Sequence, residues 1–351
     1  MRKLLLHIGC HKTGTSSIQK NLKNQKEVLI KSGWELISPH IFLRQCHLSG
    51  NANSYVNIKG EKDNLSVKIK DKLYTDLKKN NNNIIMSAEE LSWIFSEEEI
   101  IDFHKNLSGI FSEIKVVIYF RRQDKQLVSH YQQGFRAYDS SAAKFYGREL
   151  RAVPEYLEYF DYYYDYESKY NLWADAFGSN NIIVRWFDKE TLIGQDASLD
   201  FFHVANLTIS KEELISCNEG LTLDEMIINN ILYDKFGRNY YLIDEIKSKI
   251  NLLNSNEKFP PCRHDMEIFY NRYHQSNLSL IDKVFSDMEY KNSIFRTLVD
   301  FNMYPVDNNN FDTTVRLYND MVNNEYFKLG KIKTYYKVKS LARLAAKKVF
   351  N

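Results

Sequence analysis

The sequence predicts an α/β fold: a doubly wound, largely parallel sheet flanked by helices, with a helical C-terminal extension. Three observations carry this expectation. Short β-branched and aromatic runs recur at "LLLHI", "IIM", "KVVIYF" and "IIVRWF". Segments with helical spacing separate them, which is how parallel strands are joined. After Asn206 the pattern turns helical, with no further convincing strand.

Taken in order, Lys3 to Gly9 reads as a buried strand, and Thr15 to Lys31 as a helix with Ile18, Leu22, Leu29 and Ile30 on its inner side. Gly33 ends that helix, and "WELIS" (Trp34 to Ser38) reads as a second short strand. Residues 40 to 66 are rich in Asn, Ser and His and read as irregular. A lysine-rich helix is expected over Val67 to Lys79, stopped by the asparagines at 80 to 83. "IIMSAEE" (Ile84 to Glu90) reads as strand, then turn. "KVVIYF" (Lys115 to Phe120) is the clearest buried strand, and "RRQDKQLVSHYQQGF" opens a helix directly after it. "NIIVRWF" (Asn181 to Phe187) is another strand. The aromatic run Glu155 to Trp173 reads as a helix that serves either as the wall of a sugar-binding groove or as core packing.

The 351 residues are enough for two average domains or one large one with additions. The expected division is an α/β core with helical elements over 1–290 and a helical extension over 291–351. Four cysteines are scattered without a C-x-x-C pair, which fits a reducing compartment and argues against a disulfide framework or a zinc site. No run of about 18 apolar residues occurs, so a cytoplasmic chain without a membrane-spanning helix is expected.

The net charge of +2 hides an asymmetry, because eight basic residues and no acid lie between Tyr326 and Asn351. The rest of the chain is therefore acidic by six charges, which argues against broad nucleic-acid binding. Within the tail, Val338, Leu341, Ala345 and Val349 recur at helical spacing among lysines. Such a basic amphipathic helix suits either peripheral contact with an anionic membrane surface or docking on a protein body.

The most informative stretch is "LLLHIGCHKTGTSSIQKNL", Leu4 to Leu22. A strand that enters a glycine-bounded loop and leaves as a helix makes an anion site, since backbone N–H groups and the helix dipole converge there. In a Walker A loop the lysine follows the second glycine; here position 15 is Thr15 and the lysine stands at Lys12, between Gly9 and Gly14. Lys12 at the crest suits a ligand with a single 5′-phosphate carrying a short, reactive second group.

At this point the sequence resembles the sulfotransferases that use 3′-phosphoadenosine 5′-phosphosulfate (PAPS), in particular their bacterial carbohydrate type. "HIGCHKTGTSSIQ" is similar to the family's P-loop-like 5′-phosphosulfate-binding loop, and "YFRRQDKQLVSHY" supplies Arg121 and Ser129 at the family's eight-residue spacing for the 3′-phosphate. "MSAEELS" resembles a strand-end Ser-x-Glu of the same group, and "WADAFGSNNIIVRWFDKETL" and "NEGLTLDE" resemble later segments. The likeness covers roughly residues 1 to 290, with the first two motifs specific and the others diffuse.

The resemblance implies a P-loop-containing, nucleotide-hydrolase-like sheet and metal-free transfer of a sulfuryl group to a carbohydrate acceptor, in a bacterial surface glycan or its precursor. It implies that Lys12 binds the sulfonate and bridging oxygen, and that Thr13, Gly14, Thr15 and Ser16 cradle the 5′-phosphate, with His11 inside the loop. Glu89 is the first choice of general base, with Glu90 as its neighbour and His47 as the rival. A late Arg-Lys-Gly element that would complete the 3′-phosphate clamp is missing; Arg263 in "KFPPCRHD" is the nearest substitute. Arg136, Lys144, Arg148 and Arg151 either steer an acidic glycan or form a solvated basic face. The competing readings are a nucleotide-dependent kinase and a non-catalytic phosphoanion- or glycan-binding protein.

Overall fold

Five strands form one parallel sheet: β1 (Lys3–His7), β2 (Trp34–Leu36), β5 (Asn83–Ser87), β6 (Glu113–Phe120) and β7 (Ile182–Trp186). Their order is β2-β5-β1-β6-β7, with every neighbouring pair parallel. A separate antiparallel hairpin joins β3 (Val56–Lys59) to β4 (Ser66–Ile69). The computed structural model describes residues 2–37, 51–138, 140–215, 221–250, 261–306 and 311–328. His47 and the tail from residue 329 lie outside them.

Side chains alternate across a strand, and both faces of this sheet are covered. Leu5, Ile85, Val117 and Tyr119 point to a layer made by α1 (Thr15–Asn24), α2 (Lys26–Lys31) and a helix at Ala197–Val204. Leu4, Leu6, Ile84, Met86, Val116, Ile118 and Phe120 point to the opposite layer. That layer contains α3 (Asp71–Lys79), α4 (Glu97–Ser108), α5 (Gln123–Gln133), α6 (Ser141–Tyr146), α7 (Asp161–Tyr164) and α8 (Tyr166–Phe177). The Ala197–Val204 helix is α9, and α10 (Leu223–Phe236), α11 (Tyr240–Lys247), α12 (Arg263–Asn271), α13 (His274–Val284), α14 (Met288–Leu298) and a helix over 311–328 complete the described chain. Ile294, Leu298, Tyr318 and Val322 share the core of the second layer, so the described part of 291–328 packs on the same body.

The doubly wound sheet expected from the sequence is the observed architecture, with local differences. The expected helix over Thr15–Lys31 breaks at Gln25, whose N–H bonds back to the Asn21 carbonyl, and α2 restarts at Lys26. The lysine-rich helix begins at Asp71 instead of Val67, because Val67 is buried in β4. The hairpin of β3 and β4 lies where irregular chain was expected; its strands are four residues each and half exposed, so their alternation is faint. The aromatic run divides at Asp165, whose side chain caps α8 by accepting from the Ser168 N–H. Tyr163, Tyr164, Tyr166 and Trp173 are fully buried, which makes this run core packing.

The strand order places a crevice. The connection leaving β1 runs to one side of the sheet and the connection leaving β6 to the other, although β1 and β6 are neighbours. Ligands of open α/β sheets bind beyond the carboxyl ends of strands at such a reversal. Among the described residues no helix is long and apolar enough to cross a membrane.

Candidate active site at the carboxyl ends of β1, β5 and β6

The loop from Ile8 to Gly14 leaves β1 at that reversal. Its shape depends on two glycines for different reasons. Gly9 is a matter of space, because a Cβ there would stand 2.6 Å from Nε2 of His7. Gly14 has φ +79° and also touches α9, where a Cβ would meet the Cβ of Ala197 at 2.6 Å. Gly14 is the N-cap of α1 and supplies no side-chain cap, and no acid stands in the first turn. The helix therefore opens with free N–H groups and a positive dipole end, an arrangement suited to an anion.

Lys12 occupies the crest in a left-handed conformation, φ 66°. That backbone costs a non-glycine residue about 1–2 kcal/mol, so the surrounding structure must hold it. Part of the hold is visible: a guanidinium nitrogen of Arg121, just past β6, donates to the Lys12 carbonyl at 3.0 Å. Among the described residues the Lys12 ammonium has no carboxylate partner. Burial, with Arg136 and Arg121 nearby, lowers it to about 8. Lys12 and Arg121 beside a helix N-terminus form a cradle for polyanionic ligands.

The remaining loop residues take separate positions. The Thr13 hydroxyl turns inward and donates to the Cys10 carbonyl at 2.5 Å, Thr15 is buried, and Ser16 is exposed in the first turn of α1. His11 is buried away from the crest. Its ring stacks on His130 with centroids 4.6 Å apart and contacts the Tyr163 hydroxyl through Nδ1 at 2.8 Å. The Trp93 indole N–H donates to its Nε2 at 3.2 Å. Ser129 is half-buried on α5, two turns beyond Arg121 and on one ridge with Lys125, which pairs with Asp188 at 2.9 Å.

Past β5 the chain forms a 3-10 turn over Glu89–Trp93. Glu89 accepts a short hydrogen bond from Gln19 of α1, and Gln19 also donates to the Ser87 hydroxyl at 3.2 Å. That hydroxyl contacts Nδ1 of His7 at 2.9 Å. Burial raises the Glu89 carboxyl, His11 opposes that shift, and Glu90 adds to it. Glu90 points differently: its Oε2 lies 3.5 Å from Nε2 of His11, and Ser141 donates to its Oε1 at 3.4 Å.

The structure thus brings Lys12, Arg121, Glu89 and Glu90 to neighbouring strand ends. Arg263 starts α12, where one of its guanidinium nitrogens donates to the carbonyl of Tyr304, a residue that also interacts with Arg121; among the described residues Arg263 makes no hydrogen bond to the Ile8–Gly14 loop. Ser87 belongs to the strand-end Ser-x-Glu motif, whereas Gln19, Trp93, His130 and Tyr163 were not legible as site neighbours. Gln19 gave no distinct signal, because Thr15 and Asn21 are polar residues buried on the same helix beside Ile18 and Leu22.

No family model matches the chain. It is similar to an uncharacterised protein of Archaeoglobus fulgidus, 32% identical over 137 residues, which are 38% of this chain and 34% of that protein. The chain therefore matches about a third of the length of this curated relative. Its structure was also matched to a crystal structure of a sulfotransferase from Alicyclobacillus acidocaldarius, with TM-score 0.39 and 14% identity, over 70% of this chain and 96% of that one.

Proposed function

We propose that the chain is a PAPS-dependent sulfotransferase acting on a carbohydrate acceptor such as a bacterial surface glycan or its precursor, at a hydroxyl in preference to an amine. The observation that carries the reading is the pairing of the two specific motifs in space: Arg121 holds the carbonyl of Lys12 at 3.0 Å. The residues fit the cofactor, because the first turn of α1 carries no acid and no side-chain cap, and among the described residues the Lys12 ammonium beside it has no carboxylate partner.

Thr15, Ser16 and Ser17 present the free N–H groups of the first turn of α1 to the 5′-phosphate, beside Thr13 and Gly14. Arg121 and Ser129 hold the 3′-phosphate. When bound, PAPS supplies an electrophilic sulfur whose bond to the phosphate oxygen breaks as the acceptor oxygen attaches. Lys12 neutralises the charge left on that phosphate oxygen, which retains the electron pair and leaves as 3′-phosphoadenosine 5′-phosphate (PAP). Glu89 takes the acceptor's proton. Burial raises this carboxyl, which makes its ionised form a stronger base. Such transfer depends more on positioning and charge stabilisation than on covalent help.

The test is calorimetric titration of the chain with PAP, ADP and ATP in EDTA. Affinity for PAP at least about tenfold above that for ADP, lost in Arg121→Ala, supports the reading. Magnesium-dependent preference for ATP overturns it.

A further inference from the structure

Beside the loop lies a groove with a direction. Its inner end is a cleft of about 180 Å³ lined by Asn53, Val56, Ile58, Glu90, Ser141 and Lys144. Lys144 also borders a second cleft of about 300 Å³, which contains Lys62, Arg148 and Arg151.

The hairpin of β3 and β4 builds one wall. Its turn uses Gly60, φ +79°, where a Cβ would stand 2.1 Å from the Asn64 carbonyl oxygen. Lys62 follows in the left-handed region at φ 53°, the same unusual conformation that Lys12 adopts. Its side chain lies along Gly147, close enough that a Cβ at that glycine would meet Lys62 Cε at 3.4 Å. Backbone strain held at a lysine on the rim of a groove points to a function for that lysine.

The charges sort along the groove. Glu149 and Glu155 are both paired with Arg151, at 2.9 and 3.5 Å. That leaves Lys144, Lys62 and Arg148 facing the clefts against Glu61. Lys144 is steadied by donating to the Ile58 carbonyl at 3.3 Å, and the Arg148 guanidinium lies 3.7 Å over the Tyr138 ring. At the inner end Glu90 is the only acid among the described lining residues. Its Oε2 is buried, lies 3.5 Å from Nε2 of His11, and accepts no hydrogen bond among the described residues. A buried acceptor left unpaired is costly, and a ligand hydroxyl relieves it.

We propose that the two clefts are one acceptor groove for an acidic oligosaccharide. A sugar hydroxyl donates to Glu90 at the inner end, and carboxylate or sulfate groups on the following sugars meet Lys144, Lys62 and Arg148. This assignment rests on the sulfotransferase reading and narrows it from carbohydrates to carboxylated or sulfated ones.

The experiment compares a tetrasaccharide of alternating glucuronate and N-acetylglucosamine with its carboxyl-reduced, neutral counterpart. Binding to the full chain is followed by calorimetry with PAP present. The acidic tetrasaccharide should bind at least about tenfold more tightly, with the advantage shrinking as salt is raised. The double variant Lys62→Glu, Lys144→Glu should lose that advantage while keeping wild-type affinity for PAP, which also reports that it is folded. Equal affinity for the two tetrasaccharides, no binding of either, or an unchanged preference in the folded double variant overturns the groove. PAP binding without charge preference overturns the groove alone, and charge-dependent sugar binding without PAP binding overturns the cofactor reading alone.

Discussion

Arg121 donates a hydrogen bond of 3.0 Å to the carbonyl of Lys12, across the gap between β6 and β1 where the strand connections diverge. The contact joins residues 109 positions apart and fixes the crest of the loop relative to the sheet. The guanidinium also lies 5.5 Å from the Phe187 ring, which itself packs against Gly14. One arginine therefore touches both sides of the candidate anion cradle.

The first prediction concerns Lys12. Replacement by Met removes the charge at the crest and keeps most of the stem. We expect kcat for sulfuryl transfer to fall by about 10²–10³, the usual effect of deleting one preorganised donor to a developing charge. PAP binding should weaken much less than kcat. Single-turnover rates at saturating donor alongside PAP titrations check this, and weaker PAP binding with an unchanged rate would assign Lys12 to ground-state binding alone.

The pH dependence of that lysine has two opposite signs. Its ordinary value is 10.5 and burial lowers it to about 8, so between those values the unfolded chain binds more protons. Its contribution to stability therefore rises with pH across that window. Anion binding runs the other way and should decline as pH rises through about 8. In Lys12→Arg the charge persists, and PAP affinity between pH 7 and about 9.5 should become flat.

Gly14→Ala should fail for a steric reason. The new methyl group would sit 2.6 Å from the Ala197 Cβ and 3.0 Å from the Phe187 ring, on a backbone with φ +79°. We expect a loss of about 2–4 kcal/mol in urea unfolding, from strain plus overpacking. An unchanged midpoint would mean that α9 moves away freely.

How much of this was legible follows from chemistry. β1, β5 and β6 stand out because strands buried on both faces read as continuous apolar runs, with Lys115–Phe120 the plainest, and β7 stands out through its β-branched and aromatic residues. Lys12 and Arg121 stood out through their motifs. The hairpin did not, since Val56–Lys59 and Ser66–Ile69 are short and alternate with exposed polar residues. It nevertheless supplies Lys62 and half a groove. His7 and Gln19 were silent because a hydrogen-bonded polar residue in a core carries no periodic signal, although Gln19 bridges Ser87 and Glu89 and His7 contacts the same Ser87 hydroxyl. The break at Gln25 is set by tertiary packing: its side chain donates to the Glu213 carbonyl at 3.2 Å.

Arg122 offers a test of the C-terminal helices. It is fully buried, forms a two-pronged pair with Asp124 at 2.7 and 2.8 Å, and donates to the carbonyls of Thr297 and Asp300. Arg122→Met strands the Asp124 carboxylate and should cost about 3–5 kcal/mol. Hydrogen exchange should show α14 and the segment after it losing protection first. Uniform loss across the sheet would contradict a docking role.

The Trp93 ring gives the loop after β1 an optical reporter. Its indole donates to His11 at 3.2 Å and stacks on Tyr163 with centroids 4.5 Å apart, so the fluorophore is two residues from the Thr13 side of the crest. The chain has four tryptophans, and Trp173 and Trp186 are buried elsewhere in the core. A spectral shift on adding a nucleotide, absent in Trp93→Phe, would therefore count loop occupancy directly. Screening of donors can begin in a fluorimeter before a single acceptor has been found.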